Sequence, residues 1–273
     1  MLIAILDQAA IEAPVAQKGP IYTCQNCQNI VILKKGRIKV HHFAHKPPVN
    51  CSWGKGETTA HMEAKLLFRD EFVSRGLKAE LEHSVPSLPT DRRADVVVWS
   101  PKGDRCAIEL QHTGIGYDQI EKRTKSYAKA GVPVIWVPFF NPKNWANAEK
   151  LNPVEDGEYR ITRFSARPLE RWVHGFYFGE PWLYDPETKT LWKYKLDKHD
   201  IYKEETSWFD SDANEYSAGG YWKTSKRWKE LTLWGPYSLN QVRVKITERI
   251  ATSMGNHNYP GGKTANFIVI SDT

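Results

Sequence analysis

The sequence contains little cysteine and no long apolar segment, and both shortages restrict what the protein can be. Four Cys in 273 residues are too few for a disulfide-stapled scaffold. No apolar run reaches the roughly 20 residues of a membrane-spanning helix, so no membrane partner is predicted. The segment that opens the chain carries no basic leader, which predicts no export signal and a cytoplasmic location.

The positive charge is spread unevenly along the chain. Residues 1–140 hold 19 Lys and Arg against 14 Asp and Glu, a balance of +5, and the remainder holds 19 against 18, a balance of +1. A basic field suits a polyanionic partner such as nucleic acid. Modest positive charge is also common among soluble proteins, so the charge supports this partner only together with a site.

Two extended runs, 93–99 and 105–111, predict a β-hairpin. They are rich in valine and other apolar residues, and the Ser-Pro-Lys-Gly segment between them is typical of a turn. Two acids nevertheless fall within the hairpin, Asp95 at the head of the first run and Glu109 inside the second. A buried carboxylate is costly unless it is paired.

Because strand side chains alternate, Glu109 and Gln111 face the same side of the predicted sheet. With Asp95 they form a set of oxygen ligands suited to Mg²⁺, and the ion would compensate the cost of burying them. The alternative is an ion-paired acid cluster with arginine partners drawn from Arg92, Arg93 and Arg105.

A CxxC motif at the start of a predicted hairpin indicates a zinc ribbon. Cys24 and Cys27 open it, and the second strand returns further candidate ligands. Thiolate and imidazole are the donors that zinc prefers. We predict His45 and Cys51 as the remaining ligands, with His42 as the alternative, and a structural Zn²⁺ because four protein ligands leave no open position. Free cysteines are the competing interpretation.

The segment 57–75 is the clearest helix, with an apolar stripe at helical spacing. Glu57, His61 and Lys65 recur every four residues beside that stripe and form a polar row. The row is either a solvated face or lies against the acidic hairpin, with Glu57 near the metal and the other two facing phosphate. Glu63 is the alternative helix acid.

The remaining elements of the first half complete a layered pattern. Residues 78–85 predict a strand before the hairpin, 117–130 a basic helix after it, and 132–139 a buried strand. The order of helix, three strands, helix and strand is typical of an α/β sandwich.

Beyond residue 141 the chain is rich in tryptophan, with 8 of the 11 Trp, which predicts a mainly β region with its own core. Residues 181–195 predict a hairpin and 241–250 a strand, whereas 217–228 is expected to be loop-like and 253–263 mobile. The aromatics interleaved with lysine are suited either to stacking on unpaired bases or to filling a β core.

Taken together, these motifs resemble the competence protein CoiA family of predicted nucleases over roughly residues 20–140. The resemblance rests on CQNC, HHFAH, Cys51, ETTAH with Lys65, RRADVVV, AIELQHTGI, EKRTKSY and VPVIWV, in that order. The order of elements resembles the PD-(D/E)XK restriction-endonuclease-like fold. The expected architecture is therefore a mixed α/β sheet flanked by helices at 56–140, a zinc-ribbon region at 1–55 and the Trp-rich region at 141–273, part of which resembles the tail of some family members.

The resemblance implies specific roles for the polar residues. Asp95 and Glu109 match metal ligands, Glu57 and His61 match the acid and histidine of the first helix, and Gln111 stands where the larger fold usually has lysine. An amide orients water but supplies no charge. Lys65 or a second metal is the expected substitute.

The function implied is a Mg²⁺- or Mn²⁺-dependent deoxyribonuclease that acts in DNA uptake, recombination or processing. Arg92, Arg93, Arg123 and Tyr127 are the expected contacts with nucleic acid. A nucleic-acid-binding protein of the same fold that has lost catalysis is the second hypothesis, favoured by Gln111. The sequence leaves the oligomeric state open.

Overall fold

The computed structural model describes residues 1–48, 50–51, 53, 56–87, 91–151 and 157–270. Within these ranges the chain is a mixed α/β protein built mostly of strands, with three α-helices. Each of those helices is too short or too polar to span a bilayer.

The N-terminal region forms an antiparallel five-stranded sheet. Its strands are β1 Ile3–Leu6, β2 Ala9–Glu12, β3 Tyr22–Thr23, β4 Ile30–Lys34 and β5 His42–His45, in the order β2-β1-β3-β4-β5. The hairpin predicted after the CxxC motif is present as β4 and β5, and its second strand begins at His42. Phe43 is buried against Tyr22, with ring centroids 4.9 Å apart, whereas residues 36–39 are exposed. The apolar contact sets the register.

The central sheet follows the predicted order of elements. Its elements are α1 Thr59–Ser74, β6 Ala79–Leu81, β7 Ser84–Val85, β8 Arg92–Arg93, β9 Val96–Trp99, β10 Arg105–Gln111, α2 Tyr117–Lys129 and β11 Val134–Pro138. The sheet order is β11-β10-β9-β6, with β10 parallel to β11 and antiparallel to β9. The predicted hairpin is present as β9 and β10. The helix starts two residues later than predicted, because the Thr58 side chain caps it by accepting the His61 N–H.

The strand predicted at 78–85 is broken at Glu82. This residue has φ 49°, a left-handed conformation that is uncommon for a residue with a side chain. Before the break β6 pairs with β9, and after it β7 pairs with the separate strand β8. The Glu82 N–H still donates to the Asp95 carbonyl at 3.0 Å, so the break keeps these two acidic residues side by side.

The C-terminal region is mainly β and contains one α-helix. Its elements are β12 Ala148–Lys150, β13 Glu158–Ile161, α3 Pro168–Phe176, β14 Trp182–Asp185, β15 Thr190–Lys203, β16 Thr206–Phe209, β17 Glu215–Ala218, β18 Tyr221–Tyr237, β19 Val242–Arg249, β20 Thr252–Met254, β21 His257–Tyr259 and β22 Gly262–Val269. The larger sheet has the order β12-β13-β18-β15-β14, and β19 pairs with β22. The hairpin predicted at 181–195 and the strand predicted at 241–250 are both present.

Two local predictions for this region are wrong. Residues 221–228 are not a loop but the start of β18, which pairs with β15 over nearly its whole length. The segment 253–263 forms the β20–β21 hairpin, and Tyr259 is buried with its ring centroid 5.2 Å from that of Trp172. Long-range pairing and burial decide both segments, and neither leaves a local signature in the sequence.

One hydrophobic core spans the predicted boundary at residue 141. Phe68 of α1 and Ile135 of β11 share a buried cluster with Trp182 and Phe267 from the C-terminal region. A second cluster further along, which includes Leu183 and Leu231, lies within the C-terminal region apart from Phe140. The division into 1–55, 56–140 and 141–273 remains a prediction.

Removing the Phe267 ring should destabilise the central sheet as well as β22. The side chain is buried, with its ring centroid 6.3 Å from that of Phe68, so Phe267→Ala leaves a cavity between the two regions. We expect a loss of about 3–5 kcal/mol in the free energy of unfolding, measured by urea denaturation. Phe209→Ala, at a ring that is 67% exposed, is the control and should change it by less than about 0.5 kcal/mol. Equal effects would contradict the shared core.

Candidate functional site

The four predicted zinc ligands lie together in the N-terminal region. One ligand atom each from Cys24, Cys27, His45 and Cys51 falls within 4.8 Å of all the others. The Cys24 and Cys51 sulfurs are 3.9 Å apart, and the Cys27 sulfur is 3.3 Å from His45 Nε2. The alternative ligand His42 is outside this set, since its Nδ1 contacts the Val40 carbonyl at 2.8 Å.

These distances match the edges of a tetrahedral site. With Zn–S bonds of about 2.3 Å, two thiolates on one zinc are about 3.8 Å apart. Asn26 supports the sulfurs, because its N–H donates to Cys24 and its side-chain amide to Cys51, both at 3.4 Å. Burial raises the pKa of the Cys24 thiol to about 11, so its thiolate needs a neighbouring cation. A Cys₃His cluster of this kind can bind a metal such as zinc.

A second group of potential ligands lines a cavity of about 300 Å³ beside the central sheet. One atom each from Glu57, His61 and Asp95 lies within 4.8 Å of the others. Glu57 precedes the N-cap of α1, His61 is on its first turn, and Asp95 immediately precedes β9. The start of α1, which is capped by Thr58, therefore lies beside the start of β9, which the break at Glu82 adjoins.

Asp95 is held by groups from two other elements. Its Oδ2 accepts the Leu110 N–H of β10 at 2.8 Å and lies 3.2 Å from His61 Nε2. Burial opposes ionisation of this carboxyl, but His61, Lys65 and the Leu110 N–H lower its pKa. Asp95 is therefore a fixed carboxylate on the cavity wall.

Lys65 lies behind the ligands and not in the cavity. The side chain is fully buried, and its Nζ is 2.8 Å from Glu57 Oε1, 2.5 Å from Glu82 Oε1 and 3.9 Å from Asp95 Oδ1. The predicted row of Glu57, His61 and Lys65 does form. Lys65 was expected to face phosphate. Because it is buried, it instead orients carboxylates.

Glu82 is a site residue that the sequence analysis missed. It is 1% exposed, accepts the Leu2 N–H at 2.8 Å and pairs with Lys65 and Arg93. Burial alone would raise the pKa of Glu82, but Lys65 and Arg93 outweigh burial, so the pKa lies below its usual value. The sequence does carry a signal for this residue, because Glu82 is an acid inside the predicted strand 78–85. Glu109 is an acid inside a predicted strand in the same way.

Arg93 completes this ion network. Its guanidinium contacts Glu57 at 3.4 Å and Glu82 at 3.5 Å, and it lies 4.9 Å from the centroid of the Trp53 ring. Trp53 comes two residues after Cys51 and also lines the cavity. The cysteine cluster and the cavity are thus neighbours along the chain and through this stacked pair.

Glu109 lines the same cavity but does not belong to the group of converging ligand atoms. Its Oε2 accepts from Arg123 at 2.5 Å, and its Oε1 accepts from the Tyr127 hydroxyl at 2.6 Å. Burial raises the pKa of Glu109, although Arg123 opposes this. The prediction that Asp95 and Glu109 share Mg²⁺ stays a prediction; in this structure Arg123 and Tyr127 engage the Glu109 oxygens.

Of the four residues expected to contact nucleic acid, two line the cavity and two do not. Tyr127 is fully buried, so it cannot reach a nucleic-acid backbone and instead holds Glu109. Arg123 and Arg93 both line the cavity, whereas Arg92 donates to Ser126 at 3.1 Å. The alternative helix acid Glu63 is exposed outside the cavity lining.

The residues after Glu109 finish the cavity wall. Gln111 lines it, but its side-chain amide donates to the Thr113 carbonyl at 2.9 Å and does not occupy the position of a lysine ammonium. His112, which sequence analysis did not select, lies in the same wall with its Nδ1 2.9 Å from Thr58 Oγ1. Thr58 Oγ1 accepts the His61 N–H, so its own hydroxyl hydrogen can be donated to His112.

The ion network should make folding stability depend on acid pH. Burial opposes ionisation of Glu57, but Lys65 and the other nearby cations lower its pKa from 4.5 to about 2. Because the folded-state pKa is below the unfolded-state value, this contribution is complete above pH 4.5 and lost as the pH falls towards 2. Glu57→Gln should flatten the loss of stability in that window, measured by urea unfolding across pH. Glu63→Gln, at an exposed position on the same helix, should retain it, and an unchanged slope in Glu57→Gln would contradict this account.

Comparison with known families places these two sites in separate family domains. The family model described as the competence protein CoiA nuclease-like domain matches residues 57–207, which include the cavity lining apart from Trp53 and Gly56. The model described as the CoiA N-terminal domain matches residues 6–54, which include the Cys₃His cluster. Searches of curated proteins and of solved structures found no match. The first of these models alone spans more than half of the chain, which therefore belongs to the competence protein CoiA family.

Proposed function

We propose that the protein is a metal-dependent nuclease that hydrolyses phosphodiester bonds in nucleic acid, with DNA as its substrate. The observation that carries this proposal is the convergence of Glu57, His61 and Asp95 on one cavity wall, within the residues that match the nuclease-like domain. The sheet order and its flanking helices support a restriction-endonuclease-like core at 56–140. We propose competence-linked DNA uptake, recombination or processing as its setting.

The ligand chemistry fits a divalent cation. Two carboxylates and one imidazole suit Mn²⁺ and, with additional water ligands, Mg²⁺. Such a cation, when bound, neutralises charge on the phosphate oxygens and increases the acidity of water. In this proposal Glu57, His61 and Asp95 hold the cation.

The neighbouring residues keep that site ready to bind. Lys65 keeps Glu57 and Asp95 ionised and oriented, and the Leu110 N–H fixes the rotation of the Asp95 side chain. Arg123 is the cation in the cavity wall nearest to Glu109 and can approach a substrate phosphate from there. His112, held by Thr58, offers a ring nitrogen to the same space. Gln111 can only orient water.

One observation favours the alternative of a binding protein without catalysis. Arg123 and Tyr127 occupy both oxygens of Glu109, and the amide of Gln111 is engaged by Thr113. A nuclease that needs Glu109 as a direct metal ligand would have to break the Arg123 pair. The nuclease remains the better-supported function, because a pure binder gains nothing from carboxylates that repel phosphate.

Asp95→Ala should abolish cleavage while leaving binding intact. Because Asp95 is one of three proposed ligands, we expect a fall of at least about 100-fold in Mn²⁺- or Mg²⁺-supported cleavage of labelled DNA. Glu63→Ala removes an exposed acid from the same helix and should cleave at the wild-type rate. Binding is measured in EDTA. If the wild-type protein binds DNA but cleaves neither single-stranded nor double-stranded DNA with any divalent metal, the nuclease proposal is wrong and the binding alternative stands.

We also propose that Cys24, Cys27, His45 and Cys51 hold one structural Zn²⁺. Four protein ligands leave no open coordination position, so this site would stabilise the fold and take no part in hydrolysis. The buried cluster around Tyr22, Val31 and Phe43 contacts the three cysteine ligands and would lose order with the metal.

Metal analysis should therefore find about one zinc per chain. Replacing Cys24 and Cys27 by Ser should remove the zinc and unfold the N-terminal sheet, because metal binding and folding are linked in small zinc sites. Cys106→Ala is the control, since this cysteine is buried in the central core away from the cluster, and it should keep the zinc. A chain that folds normally without zinc would refute the structural role.

A further inference from the structure

The N-terminal region that contains the Cys₃His cluster, residues 1–55, is here called the zinc-binding region. It contains no acidic residue over a long stretch of its sequence. Between Glu12 and Glu57 there is no Asp or Glu. The same stretch contains the basic residues Lys18, Lys34, Lys35, Arg37, Lys39, Lys46 and Lys55. The acid at its start is occupied elsewhere, because Glu12 pairs with Arg69 of α1. Much of the positive charge of the first half is therefore concentrated here and is not offset locally.

Five of these cations surround one open hollow, which we name the basic hollow. It lies at the loop between β4 and β5, and its cations are Lys18, Lys34, Lys35, Arg37 and Lys39. Lys18, Lys34, Arg37 and Lys39 are exposed. Ile38 lies between the last two and is 96% exposed, so the loop presents a single apolar side chain among charges.

The loop is held in place by its own contacts. Lys35 Nζ donates to the Ala16 carbonyl at 2.9 Å, and His41 Nε2 is 3.2 Å from the Gly36 carbonyl. Val40 packs against the main hydrophobic core beside α1. A surface that is already ordered loses less entropy on binding, so these anchors favour a recognition role.

We infer that the basic hollow binds the phosphodiester backbone of nucleic acid. The identification of the polyanion rests on the proposed function. The cavity lining combines Glu57, Asp95 and Glu109 with Arg93 and Arg123, so with neutral histidines it has no net positive charge to attract phosphate in the absence of a bound cation. Most of the affinity for the substrate must then come from outside the cavity.

The basic hollow can supply that affinity. It lies at one end of the β4–β5 hairpin, and His45 of the Cys₃His cluster lies at the other end. Trp53, two residues after Cys51, lines the cavity beside Arg93. Lysine and arginine contacts to phosphates release condensed counterions, so they provide affinity that is independent of base sequence and sensitive to salt. Ile38 is positioned to contact sugar or groove edges between the phosphates.

The test is a charge-neutralised variant of the exposed loop. Lys34→Gln, Arg37→Gln and Lys39→Gln are combined, and Lys35 is kept because it anchors the loop. Binding to labelled duplex and single-stranded DNA of equal length is measured in EDTA at several salt concentrations. We expect at least about tenfold weaker binding at moderate salt. The negative slope of log affinity against log salt should become shallower by about 2–3, because three phosphate contacts are lost.

A second variant controls for net charge. Lys102→Gln, Lys129→Gln and Lys143→Gln remove the same charge from exposed positions outside the zinc-binding region and should bind DNA like the wild type. Zinc content and circular dichroism of the loop variant should match the wild type. Metal-supported hydrolysis of a small chromogenic phosphodiester, which is too short to reach the loop, should also be unchanged.

Three outcomes would overturn the inference. These are unchanged DNA binding in the loop variant, equal weakening in both variants, or loss of binding to anionic phosphatidylglycerol vesicles with DNA binding retained. The last outcome would identify the hollow as a membrane contact. Measuring cleavage and binding separately distinguishes this inference from the proposed function: an inactive wild type whose DNA binding still depends on the loop would refute the nuclease and leave the basic hollow as its binding surface.

Discussion

The buried ammonium of Lys65 is the interaction on which the described architecture of the cavity depends. An unpaired buried charge costs several kcal/mol, and here Glu57, Glu82 and Asp95 compensate it. The three carboxylates come from the start of α1, the break between β6 and β7, and the start of β9, so a single cation fixes three backbone segments. Glu82 extends the network to the first strand through the Leu2 N–H. The strained backbone at Glu82 is tolerated because these contacts hold its side chain.

The parts of the fold that depend on local pattern could be predicted from the sequence. The β9–β10 hairpin follows from its valine run and turn residues, and α1 and α2 follow from helical periodicity. The Cys₃His cluster follows from the spacing of the CxxC motif and from the donor preferences of zinc. The length of β18 could not be predicted, because its polar first half is ordered by pairing with β15 and not by its own propensity.

Several residues of the candidate site could be predicted from the sequence, but their partners could not. Asp95 and Glu109 were expected to share an ion because both are acids on neighbouring strands. Which acid stays available depends on partners from elsewhere in the chain: α2 supplies Arg123 to Glu109, while His61 and the Leu110 N–H approach Asp95. Glu82 was missed for the same reason, since only the tertiary structure brings Lys65 and Arg93 to it. Alternation along a strand gives the side that a residue faces, but not the charge that it meets there.

Both groups that engage Glu109 belong to a single helix. Arg123 and Tyr127 are one helical turn apart on α2, and each binds one oxygen of this carboxylate. Whether the Glu109 oxygens are free therefore depends on the distance between α2 and β10, and not on β10 alone. Because Arg123 is also the cation that opposes the rise in the pKa of Glu109, the position of α2 influences the charge of this carboxyl as well as its contacts. The availability of this acid is thus set by the position of a helix and not only by the strand that carries it.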